Sequence, residues 1–108
     1  MRAAVITEPG GPDVMQIMEI EDPVPGPEDV LVDVKASALN RADMLQRQGG
    51  YPAPAGSPSD IPGLEFAGVV LEAGERVVGM AKGDRVFGLL GGGGYASRTV
   101  THHRMAVP

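Results

Sequence analysis

Two adjacent histidines, His102 and His103, are the only imidazole groups in the sequence. On a strand, neighbouring side chains point to opposite faces, so this pair would chelate a metal ion poorly. The chain has no cysteine, which removes thiolate ligands, cysteine nucleophiles and disulfides together. We therefore expect solvated surface histidines and no metal site.

Four consecutive glycines at 91–94 could hold a phosphate through their backbone N–H groups. A dinucleotide-binding fingerprint, however, needs a strand before the glycines and a helix after them. Residues 95–100 have the pattern of a strand instead. A hairpin turn is therefore favoured over a phosphate loop.

Four polar residues remain as candidates for chemistry. Glu65 lies in an apolar neighbourhood, where a buried carboxylate would need a partner or a proton. Strand alternation could equally place Glu65 on a solvated face, so both interpretations stay open. Asn40, Asp43 and Tyr51 flank a predicted helix, and the roles of helix cap, first-turn carboxylate and loop anchor account for them adequately.

The composition is that of one acidic globular domain. The chain has 108 residues, 43 % of them hydrophobic, and a net charge of −5. This charge argues against nucleic acid or an anionic membrane as the main partner. No apolar run approaches the roughly 20 residues that span a bilayer, and the N-terminal apolar run is too short for a signal peptide. The cytoplasm is the expected location.

Sixteen glycines and ten prolines favour short strands joined by tight turns. The clearest strand is 30–38, where apolar and polar residues alternate. A helix is predicted at 40–48, capped by Asn40 and ended by two glycines, and a proline-rich loop follows at 51–63. Further strands are predicted at 3–6, 15–20, 65–72, 86–90, 95–100 and 105–107. A single helix makes parallel βαβ units improbable, so the fold class is mainly β, a barrel or a sandwich.

Five segments carry a family resemblance: Ala-Leu-Asn-Arg-Ala-Asp at 38–43, Gln-Arg-Gln-Gly at 46–49, Tyr-Pro at 51–52, Gly-Leu-Glu-Phe-Ala-Gly at 63–68 and Lys-Gly-Asp-Arg-Val at 82–86. Together they resemble the zinc-free NAD(P)H quinone oxidoreductases, the zeta-crystallin-like branch of the medium-chain dehydrogenase/reductase superfamily. The resemblance implies a GroES-like, partly open β-barrel with one short helix. Residues 1–108 would be the substrate-side domain, without the Rossmann cofactor domain.

The resemblance also implies roles for individual residues. Asn40 and Tyr51 would be the catalytic pair, with Tyr51 forming a wall of the quinone pocket. Glu65 matches a family carboxylate near the cofactor, whose ion-pair partner would lie outside these residues. The cofactor-binding residues would be Asn40, Arg41, Ala42, Asp43, Met44, Leu45 and Glu65.

Departures from the zinc-containing branch of the superfamily imply a metal-free site. Those alcohol dehydrogenases have cysteine at the position of Asn40 and histidine at that of Leu64, and they carry a four-cysteine lobe that is missing here. The implied cofactor is NADPH, bound mainly by the Rossmann domain, and no zinc is implied. Hydride would pass directly from the nicotinamide to a quinone.

Two alternatives remain open. The same scaffold could reduce an enone or enal, or the chain could be a non-enzymatic interaction domain of the GroES type that contacts a partner through the loop 52–62. We expect the 108 residues alone to be inactive and to form homo-oligomers, with neither a nucleic-acid nor a membrane partner.

Overall fold

The computed structural model describes residues 1–58 and 60–108, and strands make up most of its regular structure. Residue 59, in the predicted loop 51–63, lies outside the described residues. The described part contains one α-helix, α1 (Arg41–Arg47), and short 3-10 turns at Pro12–Val14 and His103–Met105. Its strands are β1 (Arg2–Ile6), β2 (Met15–Glu19), β3 (Asp29–Ser37), β4 (Glu65–Ala73), β5 (Arg85–Leu89), β6 (Arg98–His102) and β7 (Ala106–Val107).

The strands form two antiparallel sheets. Five of them pair in the order β6-β3-β4-β5-β7, and β1 pairs with β2. The smaller sheet joins the larger one through residues 95–97, where Ala4 N donates to Tyr95 O at 2.8 Å and Val34 N donates to Ser97 O at 2.9 Å. Strands β6 and β7 lie at opposite edges of the five-stranded sheet and do not pair with each other, so the curled sheet is a half-barrel and not a closed barrel. This confirms the predicted mainly β, partly open barrel with one short helix.

The core is aliphatic and lies inside the curl of the five-stranded sheet. Val30, Val32 and Val70 are fully buried, and Phe66 and Val86 pack with them. A smaller cluster of Ala3, Val5 and Ile61 lies under the two-stranded sheet. Burial of these side chains provides the main driving force for folding, since each contributes about 1.5–3 kcal/mol.

Strand β3 confirms the predicted strand 30–38 but not its strict alternation. Leu31, expected on the opposite face from Val30 and Val32, is also buried. The pairing of β3 with β4 shifts register between Leu31 and Val32, and such a shift breaks the two-residue period. Ala36, which shares its alternation with Val30 and Val32, is exposed, because β6 pairs only with the first part of β3.

Gly68 fixes the distance between β3 and β4. A Cβ atom at this position would lie 2.1 Å from the carbonyl oxygen of Asp33 on the neighbouring strand. Only glycine permits that approach. A glycine inside a strand often marks such a close approach of a neighbouring backbone.

The hairpin predicted at residues 91–94 is wrong. These glycines connect β5 to β6, but β5 pairs with β4 and β7 while β6 pairs with β3. The segment instead packs against the end of the loop 51–63, where Gly93 N donates to Ile61 O at 2.7 Å and Gly94 N to Gly63 O at 3.0 Å. Small residues are required because backbone lies directly against backbone.

Two further strand predictions need correction. The predicted strand 15–20 forms as β2, but Ile17 is 65 % exposed and not part of the core, because β2 lies at the edge of a two-stranded sheet. The predicted strand 95–100 begins only at Arg98 and continues to His102; residues 95–97 instead bridge the two sheets. Among the described residues, no helix is long and apolar enough to cross a membrane.

Candidate functional site

The start of α1 is held by a buried carboxylate. Asn40 has extended backbone angles and precedes the first helical residue, as an N-cap does. The Asp43 side chain, three residues later, accepts the Asn40 backbone N–H at 2.9 Å through Oδ2. This is one half of a capping box, and it confirms the predicted helix start.

Asp43 also ties the helix to two other segments. Its Oδ1 accepts the Gly63 N–H at 3.3 Å, and its Oδ2 accepts the Tyr95 hydroxyl at 2.5 Å. The side chain is only 4 % exposed. Burial raises the pKa of the Tyr95 hydroxyl well above its ordinary value, and the Asp43 hydrogen bond raises it further. Both carboxylate oxygens of Asp43 are thus used within the domain.

Gly63 allows the segment before β4 to reach Asp43. Its φ of +110° lies in the region that favours glycine, and a Cβ there would come within 2.6 Å of Gly94 Cα and Tyr95 N. The tight packing places Glu65, two residues later, beside the start of α1.

Asn40 and Glu65 meet directly. The Asn40 side-chain amide donates from Nδ2 to Glu65 Oε2 at 2.8 Å, and both residues are half-buried. Glu65 is therefore neither on a fully solvated face nor without a partner. The structure brings together two residues that are 25 positions apart in sequence and that the resemblance assigned to one site.

A groove of about 580 Å³ lies beside Glu65, a size typical of small-molecule sites. Most of its wall is apolar, and Phe87 and Leu89 of β5 are 56 % and 59 % exposed there. Glu65 and Arg104 are its charged lining residues. Phe87, Leu89 and Arg104 could not be predicted as lining residues from the sequence, because only the fold shows that nothing within the described residues covers this side of β5.

The remaining predicted site residues do not all converge on Glu65. Arg41 and Met44 lie on the exposed side of α1, while Ala42 and Leu45 are half-buried. Tyr51 is half-buried after the end of the helix and does not line the groove beside Glu65. No described contact tests the roles that the resemblance gave to these five residues.

The residues at the family's zinc position do not fit zinc. Zinc in proteins takes thiolate, imidazole or carboxylate ligands. The Leu64 side chain has no atom that could bind a metal ion, and the Asn40 amide nitrogen donates a hydrogen bond to Glu65. A lone carboxylate, already hydrogen-bonded, makes a poor zinc site.

The predicted geometry of the two histidines is wrong. Strand β6 ends at His102, and His103 begins a 3-10 turn, so strand alternation stops between them. Their rings stack with centroids 4.7 Å apart and an interplanar angle of 23°. Both side chains therefore lie on the same side of the chain, next to Glu28.

The main features of the structure are a half-barrel, a capped helix at its rim and a polar pair, Asn40–Glu65, beside an apolar groove. These features are those of one class of protein, the GroES-like domain of the medium-chain dehydrogenases/reductases. Residues 26–108 match the family model described as the alcohol dehydrogenase GroES-like domain. The chain belongs to this family.

Curated relatives include quinone and enoyl reductases. A quinone oxidoreductase of Lama guanicoe is 40 % identical over 88 residues, covering 81 % of this chain and 26 % of the relative. Quinone oxidoreductase-like protein 2 of Rattus norvegicus is 41 % identical over 103 residues, covering 95 % and 29 %. A trans-enoyl reductase of Aspergillus terreus is 44 % identical over 77 residues, covering 71 % and 24 %. The chain thus spans less than a third of each of these relatives.

Solved structures show the same fold. A quinone oxidoreductase of Pseudomonas syringae superposes with a TM-score of 0.88 at 36 % identity, covering 98 % of this chain and 32 % of that one. The Escherichia coli quinone oxidoreductase complexed with NADPH gives 0.88 at 30 % identity, covering 99 % and 32 %. A cobalt- and zinc-bound alcohol dehydrogenase of Pyrobaculum aerophilum gives 0.87 at 33 %, covering 99 % and 40 %. Both metal-binding and quinone-reducing proteins thus share this architecture.

Proposed function

We propose that residues 1–108 form the substrate-side domain of an NADPH-dependent reductase that transfers a hydride to a quinone without a metal ion. One observation carries the proposal: the Asn40 amide donates a hydrogen bond to Glu65 beside an apolar groove. Leu64, which precedes Glu65 in the chain, has no side-chain atom that could bind a metal ion. Quinone oxidoreductases among the relatives support the substrate class. The protein has mainly to place the quinone correctly against the hydride donor, because a quinone ring is already electrophilic.

NADPH would supply the hydride when bound. In this chain, Glu65 orients the Asn40 amide, and Asp43 fixes the backbone from which that amide projects. Among the predicted site residues, Asn40 therefore has its backbone and its side chain both fixed by hydrogen bonds, and we assign to it the contact with substrate or cofactor. Its amide and the Glu65 carboxylate offer a fixed hydrogen-bonding edge to one side of a flat ligand.

The exposed side of α1 is proposed as the cofactor-contacting surface. Arg41 and Met44 are the two residues of the predicted set whose side chains are exposed. The Arg41 guanidinium would suit a phosphate or carboxamide oxygen. Asp43 contributes by positioning rather than by contact, since both its oxygens are used within the domain. Tyr51 is proposed as an aromatic wall next to the helix end.

Reduction of an enone or enal is the second candidate function. The Aspergillus terreus trans-enoyl reductase, 44 % identical over 77 residues, is the observation that favours it. The same placement of hydride donor and acceptor would serve a conjugated carbonyl. Its oxygen, however, would need a hydrogen-bond donor as negative charge develops, and the Asn40 amide is a suitable one.

A chimeric enzyme tests the proposal. Residues 1–108 would replace the matched third of the Escherichia coli quinone oxidoreductase, and the chimera would be assayed with NADPH against a set of quinones and a set of enals. We expect quinone turnover to exceed enal turnover. Retained NADPH binding, followed by nicotinamide fluorescence, serves as the control that the chimera has folded. A chimera that binds NADPH and reduces neither class would refute the proposal, and a preference for enals would favour the second candidate.

A further inference from the structure

Glu28, His102 and His103 form a cluster at the opposite end of β3 from the Asn40–Glu65 pair. His102 pairs with Asp29 at the start of β3, whereas Phe66 pairs with Ser37 at its end. The two positions are eight residues apart along β3. Arg104, which follows His103, lines the groove beside Glu65, but none of the three cluster residues does. The cluster is therefore a separate set of side chains next to the groove.

The side chains already converge on one point. Each residue offers one ligand atom, and these three atoms lie within 4.8 Å of one another. Glu28 Oε2 lies 3.1 Å from His102 Nε2, and the stacked rings place His103 beside them. Two ligands of one tetrahedral zinc ion, each about 2.0–2.1 Å from it, lie roughly 3.4 Å apart. Small side-chain rotations are enough to close the set around an ion.

The backbone holds the three residues together without a metal ion. His102 is paired with Asp29 in the sheet, and the His103 N–H donates to the Glu28 carbonyl oxygen at 3.0 Å. The Glu28 and His102 side chains are 50 % and 39 % exposed, so an ion could enter and keep water ligands. A preorganised backbone with open side chains is a good basis for a metal site.

We propose that Glu28, His102 and His103 bind one divalent transition-metal ion of the zinc type. Two imidazoles and one carboxylate are a ligand set that zinc uses with a fourth position left to water. Imidazole ligands favour zinc, nickel or copper over magnesium and calcium. The bound ion would link the start of β3 to the connection between β6 and β7. This proposal replaces the expectation, drawn from strand alternation, that the histidine pair binds no metal.

Metal binding has a specific consequence for Arg104. In the metal-free protein His102 Nδ1 accepts the Arg104 backbone N–H at 3.1 Å, so the ring proton lies on Nε2 and faces Glu28. An ion bound at Nε2 takes the place of that proton, which moves to Nδ1. The Arg104 N–H then loses its acceptor and turns to solvent. Zinc should therefore shift the Arg104 amide resonance, although Arg104 is not itself a ligand.

Zinc titration of the tag-free 108-residue chain tests the proposal. We expect one saturable site by calorimetry with zinc chloride, together with a shift of the Arg104 amide in the ¹⁵N-resolved spectrum. The variants His103→Asn and Glu28→Gln should each weaken binding about tenfold or more, since even residues that only support a ligand cost 10–100-fold. Glu72→Gln, which removes an exposed carboxylate on β4, is the matched control and should bind as the original chain does.

Three results would overturn the proposal. The first is the absence of saturable binding in the titration. The second is binding that His103→Asn and Glu72→Gln weaken equally, since that would assign zinc to scattered surface carboxylates. The third is an Arg104 resonance that does not move at saturation, since that would exclude His102 as a ligand.

Discussion

At the scale of single residues, Asn40 has two roles, in the helix cap and in the site, and one substitution can separate them. It starts α1, and its amide holds Glu65. Serine also starts helices well, but its side chain is too short to replace the amide. In the chimeric enzyme we expect Asn40→Ser to keep the start of the helix, to lose the hydrogen bond to Glu65, and to lower kcat/KM for quinone about tenfold. Asn40→Ala should lose the same activity and a further ~1 kcal/mol of stability.

Steady-state kinetics and urea unfolding measured on both Asn40 variants would decide between these roles. If Asn40→Ser reduced quinone as fast as the original residue, Asn40 would serve only to start the helix.

The structural role of Tyr95 could not be predicted from the sequence. Its hydroxyl donates to the buried Asp43 carboxylate. Replacing Tyr95 with phenylalanine removes a hydrogen bond to a charged acceptor, which is worth about 1.5–3 kcal/mol. We expect Tyr95→Phe to lower the free energy of unfolding by that amount in urea at neutral pH. Tyr51→Phe, which removes the other tyrosine hydroxyl of the chain, is the control and should change stability little.

The raised pKa of Tyr95 gives this stabilisation a pH dependence. A group whose folded-state pKa exceeds its unfolded value contributes fully below the unfolded value, here 10.0, and loses that contribution as pH rises above it. The stability difference between the original chain and Tyr95→Phe should therefore stay constant up to about pH 9 and shrink as the pH rises above about 10. A difference that does not shrink above about pH 10 would show that Tyr95 ionises equally well in the folded and unfolded chain.

At the scale of elements, Gly68 determines whether β3 and β4 can pair. A methyl group there would meet the Asp33 carbonyl oxygen at 2.1 Å, and backbone cannot yield cheaply. We expect Gly68→Ala to destabilise the chain by about 3 kcal/mol, at the upper end of overpacking costs. Gly11→Ala is the matched control, because a Cβ at Gly11 has no neighbour within 4 Å. Thermal unfolding followed by circular dichroism measures both, and equal melting temperatures would contradict the proposed close approach.

The elements that the sequence predicted best are those with local signals. Alternation predicted β3, and the Asn40–Asp43 spacing predicted the start of α1, because both depend on neighbours in the chain. The segment 91–94 was assigned wrongly because its partner, the Ile61–Gly63 backbone, is about thirty residues away. The Asn40–Glu65 contact lies beyond local patterns as well, and the family resemblance supplied it. Glycines that serve a turn and glycines that serve a backbone contact look alike in a sequence.

At the scale of the whole molecule, one face of the five-stranded sheet is apolar and open. Phe87, Leu89, Met105 and Val107 are all about half exposed, and they lie together along the groove beside Glu65. Surfaces of this kind normally contact another protein surface. The sheet also ends in β7, whose two residues leave an edge that can pair with another chain. Both features favour association of the 108-residue chain with itself.

Net charge opposes this association, and salt decides the balance. Copies with a charge of −5 repel each other, but salt at physiological strength screens charge beyond about 8 Å. We therefore expect a dimer or larger species whose mass in multi-angle light scattering rises with protein concentration and with salt. The double substitution Phe87→Ser and Leu89→Ser should restore a monomer, whereas Val78→Ser, at a more exposed apolar site that does not line the groove, should not. A monomer at every concentration and salt level would show that the apolar face needs no partner, and that half-barrel closure alone suffices to keep these residues folded and apart.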